Sequence, residues 1–187
     1  MRPYARLDLI LARRIADFLG DRRGLSAVEF ALLLPLMLTL YLGTVEVSNG
    51  VAADRKVAIT ARTVADLASR MTTIRNADMT NILSASSAVI APYAVSNLVV
   101  TVSEVSMDAQ GKATVTWSDS LNGTAHIVGL VMTVPASLAV PNTSLILGEV
   151  QYNYDPTFGY VLTGTMTFKS QMYMAPRLQS TVTRVNS

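Results

Sequence analysis

The chain has 187 residues, which is enough for one domain with or without an anchoring helix. Half of its residues are hydrophobic and 15% are charged, a balance that excludes an intrinsically disordered chain. The sequence has no cysteine and one histidine, which excludes disulfides, thiol catalysis and most zinc sites. A net charge of +2 is too small to indicate a nucleic-acid partner. The composition therefore favours a membrane-associated protein.

Residues 30–45 carry no charge and predict a transmembrane helix. At about 1.5 Å per residue they cover roughly 24 Å. With the apolar residues on either side, the predicted span covers 25–47 and approaches the roughly 20 residues that cross a bilayer. A buried core helix is the alternative, but it would need a larger surrounding domain than the remaining chain provides. We predict a leader over 1–24, a continuation of the helix beyond the span over 48–75, and an α+β domain over 76–187.

The charges around the span predict its orientation. Six arginines precede it against three aspartates, and few basic residues follow closely behind it. By the positive-inside rule, the N-terminus lies in the cytoplasm and the domain lies outside. A secretory signal peptide is the alternative, but the apolar stretch is long for one, and Glu29 stands at its start. Within the leader, residues 7–19 have the spacing of an amphipathic helix, which either lies on the inner membrane surface or has no role of its own.

The helical pattern continues beyond the span. Five apolar residues form a stripe at helical spacing: Val57, Ala61, Val64, Ala65 and Ala68. Small residues let two backbones approach closely, either against the chain's own domain or against partner helices. A second helix is predicted to start at an Asp78 cap and to end before Pro92.

The hydrophobic period changes to two in the second half of the chain and predicts two β-hairpins. In the first, residues 98–107 and 112–118 are joined by a turn at 108–111. In the second, residues 149–154 and 160–168 flank a turn that contains proline and glycine. An antiparallel sheet of about four strands, with one face covered by helix, is therefore expected. The predicted fold class is α+β: a long N-terminal transmembrane helix, then a small antiparallel-sheet domain with a second helix.

The strongest candidate for a functional site lies at the start of the first helix. Two arginines and Gly24 precede Glu29 at the start of the membrane segment. A charge at this place is costly, so it indicates a function with a defined partner. If a peptidase cleaves after Gly24, the new α-amine of Leu25 is that partner, and Glu29 of a neighbouring copy neutralises it. The structural alternative is a capping box, in which Ser26 caps the helix and Glu29 reaches back to its amide.

The same residues carry a resemblance to a known family. Gly24, the run 28–32 and Pro35 resemble the N-terminal segment of TadE/TadG-like proteins of the tight-adherence (Tad) pilus system, a branch related to type IV pili. The segments around 135–156 and 175–177 also resemble TadE-like proteins. Large TadG members carry an extra domain, so the length of this chain favours a TadE-like minor pseudopilin.

The resemblance implies a site, a set of partners and a location. The spacing of Gly24 and Glu29 resembles a prepilin peptidase site, with cleavage between Gly24 and Leu25 and recognition and assembly roles for Glu29 and Phe30. Phe30 stands where the major pilins of this system typically have tyrosine. The implied partners are prepilin peptidase, other pilin and minor pilin subunits, and the inner-membrane assembly platform. The implied protein sits in the bacterial inner membrane with a periplasmic domain, primes or caps the pilus, and either stays in the membrane or enters the filament.

Little in the sequence favours an enzyme. His126 lies in a predicted loop, and the sequence has no serine-hydrolase elbow, phosphate loop or metal-ligand spacing. We predict no catalytic residue, no metal and no cofactor. A pilus-tip or surface adhesin is the alternative function, because Trp117, Tyr152, Tyr154 and Tyr160 could line a surface that binds a glycan or a protein. The same aromatic residues are also typical of one face of a sheet core, which is the interpretation we favour.

Overall fold

The structure, a computed structural model, describes residues 22–156 and 164–185. The chain divides into two compact units, Met1–Val45 and Glu46–Ser187. Helix α1 (Arg22–Ser69) supplies all described residues of the first unit and continues through Pro35. The prediction of one long N-terminal helix is confirmed. The amphipathic helix predicted within the leader lies outside the described residues.

The second unit contains a helix, a mixed set of strands and the end of α1. Its further elements are β1 (Thr73–Ile74), α2 (Asn76–Ile90), a 3-10 turn (Val95–Asn97), β2 (Leu98–Met107), β3 (Ala113–Leu121), β4 (Val131–Met132), β5 (Ser144–Tyr154), β6 (Met166–Met174) and β7 (Thr183–Arg184). Five strands form an antiparallel sheet in the order β4-β3-β2-β5-β6, and β1 pairs with β7 in parallel. The α+β class is confirmed. The sheet has one strand more than expected, because β4 is too short to show a period in the sequence.

The first predicted hairpin is confirmed as β2 and β3. Its turn is held by Asp108, whose side-chain Oδ1 accepts hydrogen bonds from the backbone N–H of Gln110 at 2.9 Å and of Lys112 at 2.8 Å. Gly111 has a φ of +77°, a conformation that glycine adopts without strain. This turn is fixed by local contacts, because the Asp108 side chain bonds backbone N–H groups two and four residues later and needs no distant partner.

The second predicted hairpin is present as the antiparallel pair β5 and β6, with Tyr154 opposite Met166. Its second strand starts at Met166, later than the sequence pattern suggests. Residues 157–163, which include most of the predicted turn and Tyr160, lie outside the described residues.

The end of α1 packs on one face of the sheet through the predicted apolar stripe. All five stripe residues are fully buried, together with Ala53. The closest approach is at Gly148 of β5, where a Cβ atom would lie 2.6 Å from the carbonyl oxygen of Ala61. The sequence left two docking partners open for the stripe, and the structure selects the chain's own domain.

Helix α2 begins differently from the sequence prediction. Arg75 is the N-cap, and Asp78 is the third helical residue. The Asp78 carboxylate accepts a hydrogen bond from the backbone N–H of Arg75 at 3.0 Å, so it closes the first turn from inside the helix. The helix ends at Ile90, before Pro92, as expected.

Each face of the sheet carries a buried cluster, and a bulge in β3 changes the face on which its side chains lie. The pairing of β2 with β3 shifts between Glu104 and Val105, which leaves Thr116 as an extra residue on β3. Val115 therefore belongs to the smaller core cluster, whereas Trp117 joins the larger cluster with α1. A period of two without interruption would put Val115 and Trp117 on the same face of β3. That expectation is wrong, because the extra residue Thr116 places them on opposite faces.

Candidate functional site

The first unit presents an apolar helix whose side chains are exposed on every side. Val28, Phe30 and Leu32 are 58%, 59% and 74% exposed, and the pattern continues to Tyr41. Helix residues from Ser26 onward meet the length and composition of a membrane span, and none of the most apolar window is buried within the chain. A helix that is apolar all round needs either a core or a lipid environment. This helix is therefore compatible with a membrane anchor.

The predicted site residues lie together in the first turns of that helix. Gly24 and Leu25 have helical backbone, and a methyl group at Gly24 would have no atom within 4 Å. Glu29 and Phe30 follow one turn later and are exposed. Glu29 is the one charged residue between positions 24 and 45. The structure thus places an isolated carboxylate next to the proposed cleavage point.

In the uncleaved chain, Ser26 does not occupy the capping position. Helix α1 is described from Arg22, so Ser26 is an interior helical residue there. A cap acts only where the backbone N–H groups lack intrahelical partners. The capping box of Ser26 and Glu29 thus stays a prediction for a chain that starts at Leu25.

The first charged residue after the uncharged stretch is Glu46, and it is hydrogen-bonded to the β domain. Glu46 is buried, and its Oε1 accepts a hydrogen bond from the Tyr154 hydroxyl at 3.0 Å. Burial, reinforced by the hydrogen bond and the negative charge of Glu46, raises the pKa of Tyr154 to about 12. The Tyr93 hydroxyl donates to the Asn49 carbonyl oxygen at 3.2 Å.

These two tyrosines belong to an aromatic clamp, which we define as Tyr93, Tyr152, Tyr154 and Phe168. Tyr93 lies 5.9 Å from Tyr152 and 6.2 Å from Tyr154, measured between ring centroids, and Tyr154 lies 5.9 Å from Phe168. The clamp contacts α1 just after its uncharged stretch, through the hydrogen bonds of Tyr93 to Asn49 and of Tyr154 to Glu46. The sequence analysis missed it, although a lone glutamate directly after an apolar run was a usable signal.

The aromatic residues considered for an adhesive surface are mostly core residues. Trp117, Tyr152 and Tyr154 are 7%, 3% and 6% exposed. The indole N–H of Trp117 donates to the carbonyl oxygen of Val182 at 2.7 Å. The core interpretation is confirmed for these three, and Tyr160 lies outside the described residues.

A buried carboxylate on β2 holds the C-terminal clasp, which we define as residues 180–184. The Oε1 atom of Glu104 accepts a hydrogen bond from the Val182 backbone N–H at 2.7 Å. The Ser144 hydroxyl, whose single hydrogen is shared between two acceptors, lies 3.0 Å from the same Oε1 atom and 2.6 Å from the carbonyl oxygen of Ser180. The Oε2 atom of Glu104 accepts a hydrogen bond from the Thr116 hydroxyl at 2.8 Å. Because both oxygens are bonded within the protein, Glu104 stabilises the fold and is not placed to act on a substrate.

The single histidine is paired. His126 lies in the loop before β4, as predicted, and its Nε2 atom is 2.5 Å from Oε2 of Glu149. Both side chains are about 30% exposed at the edge of a groove. Among the described residues no group of three potential metal ligands occurs, so the pair is not a metal centre there.

Comparison with known proteins locates a family likeness in the N-terminal helix. Residues 24–66 match the family model described as TadE-like protein. Searches of curated proteins and of solved structures give no match. The matched segment contains Gly24, Glu29 and most of the buried stripe. The likeness of the later segments stays a prediction, because the match ends at residue 66.

The TadE-like family is associated with the Tad pilus and is not an enzyme family. The resemblance is therefore confirmed over residues 24–66, which are similar to TadE-like proteins, and this likeness implies a Tad pilus-associated protein.

Proposed function

We propose that the protein is a membrane-held minor pilin or pseudopilin that primes or caps assembly of a Tad-type adherence pilus. The observation that carries this proposal is the TadE-like match over residues 24–66. It coincides with the exposed apolar helix and with its single charge at Glu29. The proposed partners are prepilin peptidase, other pilin and minor pilin subunits, and the inner-membrane assembly platform.

The proposed maturation step is hydrolysis of the peptide bond between Gly24 and Leu25. A peptidase needs a locally extended backbone, and this bond lies in the first turn of α1, where helices fray most readily. Glycine favours unwinding there, since it destabilises a helix by roughly 0.5–1 kcal/mol relative to alanine. Gly24 is also exposed, which favours access to the bond. These features support cleavage at this position.

The proposed role of Glu29 is to neutralise the α-amine that cleavage creates on Leu25 of a neighbouring subunit. A positive amine at the start of a helix opposes the helix dipole, so a nearby carboxylate favours it. In a lipid environment neither charge has water to solvate it, which makes the pairing of the two charges selective. The absence of other charges between positions 24 and 45 leaves the amine no competing acid in that stretch.

The proposed orientation has a cytoplasmic leader and a periplasmic domain at the bacterial inner membrane. The excess of arginine before the span supports it. The hydrogen bond between Glu46 and Tyr154 supports a membrane segment that ends at Val45, two residues before the end of the span predicted from the sequence, because a charged residue is costly among lipid tails. A reporter that is active only in the periplasm, fused after Ser187, should be active, and activity restricted to a cytoplasmic reporter would contradict this orientation.

The alternatives have less support. Among the described residues, the adhesive surface suggested by aromatic residues is absent, because Trp117, Tyr152 and Tyr154 are buried. The paired His126 and Glu149 belong to no group of three potential metal ligands among the described residues.

The decisive experiment removes the gene and locates the protein. Cells without it should make few or no pili, and the wild-type gene should restore them. Recovery of the protein in sheared filaments identifies a minor pilin, and recovery only in membranes identifies a pseudopilin that acts from the membrane. Normal piliation in the deletion strain would overturn the proposal.

A further inference from the structure

A polar groove lies on the sheet face opposite α1. Its volume is about 480 Å³, within the range of about 300–1,000 Å³ of small-molecule sites. Glu149 and Gln151 of β5 flank Val150, which is buried in the cluster with α1, so their side chains point to the other face. On β6, Gln171 is the cross-strand neighbour of Glu149, and Lys169 is that of Gln151. Four polar residues therefore form a two-by-two array on the floor of the groove.

One wall of the groove is the loop that carries His126, and this wall is fixed to the sheet. The backbone N–H of His126 donates to the Ser118 hydroxyl at 3.0 Å, and that of Gly129 donates to the Val115 carbonyl oxygen at 2.9 Å. The contact of the His126 imidazole with Glu149 adds a third attachment. A ligand would thus meet a preformed wall and would not have to order the loop.

The floor of the groove has unused hydrogen-bonding capacity. The side chains of Gln151, Lys169 and Gln171 make no hydrogen bond to any other residue that the structure describes. Each glutamine amide offers an acceptor oxygen and two donor hydrogens, and the lysine offers three donors. On a sheet face these groups are held side by side, with Cβ atoms of opposed residues about 4.5–5.5 Å apart.

The chemistry of the lining selects the class of ligand. Lys169 and Glu149 offset each other's charge, whereas phosphate sites typically use arginine clusters. Of the lining side chains on this face, only that of Val99 is aliphatic, because the Val150 side chain lies on the face packed against α1, and the others carry groups that donate or accept hydrogen bonds. We propose that this groove binds a neutral saccharide, whose adjacent hydroxyl groups both donate to and accept from the amides and the Glu149 carboxylate.

This binding site is independent of the proposed role in pilus assembly. It uses the polar floor of the groove, whereas the adhesive surface considered from the sequence relied on aromatic residues that are buried. The groove runs across β2, β5 and β6, so it suits an extended oligosaccharide better than a single sugar. Neutral glycans of the cell wall and neutral glycans of other surfaces share this chemistry.

The test is calorimetric titration of the full chain, purified in a detergent without a sugar headgroup, because a glycoside detergent would compete. The probes are N-acetylhexosamine oligomers released from cell-wall glycan, neutral hexose oligomers, and heparin as a polyanion. We expect saturable binding of at least one neutral oligomer, and the one that binds identifies the source. Absence of binding to both, or binding of heparin alone, would overturn the proposal.

Glutamine variants inside and outside the groove test where the oligosaccharide binds. Gln151→Ala and Gln171→Ala should each raise Kd about three- to tenfold, the effect of one lost neutral hydrogen bond. Gln110→Ala and Gln179→Ala, at exposed positions outside the groove, should leave Kd unchanged. Thermal unfolding of every variant checks that the fold is intact. Equal effects in both pairs would place the binding elsewhere and contradict the groove.

Discussion

Gly148 of β5 lies so close to α1 that a Cβ atom built on it would be 2.6 Å from the carbonyl oxygen of Ala61. The same atom would lie 3.1 Å from side-chain atoms of Ala65 and Val64. Helix backbone cannot yield as a flexible side chain does, so any residue larger than glycine must push α1 away from the sheet. The distance between α1 and β5 is therefore set by the absence of a side chain at Gly148.

We expect Gly148→Ala to lower the free energy of unfolding by about 1–3 kcal/mol, as overpacking of a core does. The matched control is Gly50→Ala in α1, where the new methyl group would meet its nearest atoms at 3.8 Å, an ordinary contact. Because alanine favours a helix, the control should be neutral or more stable by up to about 1 kcal/mol. Urea unfolding of the full chain measures both. Equal losses in the two variants would contradict the close contact.

The pH dependence of unfolding should report the bond between Tyr154 and Glu46. The pKa of Tyr154 is raised from 10.0 to about 12 in the folded protein. A raised pKa gives stability that is fully present below pH 10 and is lost as the pH rises toward 12. The melting temperature should thus fall over that interval, and less steeply in Tyr154→Phe. Burial also raises the pKa of Tyr152 and Tyr173, so part of the slope remains in the variant. Identical slopes would exclude Tyr154 as a source.

Removal of the buried carboxylate on β2 should open the C-terminal clasp. Glu104→Ala leaves the buried Val182 N–H without its acceptor, which should cost about 1–3 kcal/mol, whereas the Ser144 and Thr116 hydroxyl groups keep the carbonyl oxygens of Ser180 and of residue 104 as acceptors. The control Glu149→Ala removes a half-exposed glutamate on β5 and should cost about 1 kcal/mol or less. Hydrogen exchange at Val182 should rise in the first variant alone. Unchanged exchange there would mean that Trp117 and Arg184 suffice to hold the clasp.

Cleavage between Gly24 and Leu25 predicts a defined mature N-terminus. Mass spectrometry of the protein from cell envelopes should find a peptide that starts at Leu25. A strain without prepilin peptidase supplies the control, and it should yield chains that retain the leader. Mature protein that still carries residues 1–24 would leave an uncleaved anchor.

Glu29→Gln separates a role of the charge from a role of the side-chain shape. Glutamine keeps the size and helix propensity of glutamate, so protein levels and the folded domain should be unchanged. The variant removes the charge that neutralises the amine of a neighbouring subunit, and cells that carry it should lose pili. The control is Phe30→Tyr, which introduces the residue typical of major pilins, and cells with this variant should keep their pili. Pili in normal number with glutamine would refute the pairing.

The elements that the sequence predicted well are those fixed by local chemistry. The long helix follows from its composition, and the turn after β2 follows from Asp108 and Gly111, which act on their own neighbours. The buried stripe was visible because its spacing matches the helical period. For Gly24 and Glu29 the family likeness supplied the roles, and the structure adds that Ser26 is not a cap in the uncleaved chain.

The features that were missed depend on contacts between distant parts of the chain. Glu46 and Tyr154 are separated by 108 positions, so the position of Glu46 after the apolar run indicates a special role but does not identify Tyr154 as its partner. The bulge at Thr116 exists because β3 must match the register of β2, and it moved Trp117 to the other face. His126 meets Glu149 only when its loop folds back over the sheet.

The C-terminal clasp imposes an order on the making of the protein. Residues 180–184 emerge from the ribosome after every strand of the five-stranded sheet, yet the Trp117 indole and one oxygen of Glu104 bond to Val182. Until translation has passed Arg184, these two bonds cannot form, and β1 has no strand to pair with. A chain that stalls earlier would offer proteases an unfinished edge. The domain therefore reaches its full set of contacts only after residues 180–184 have been made.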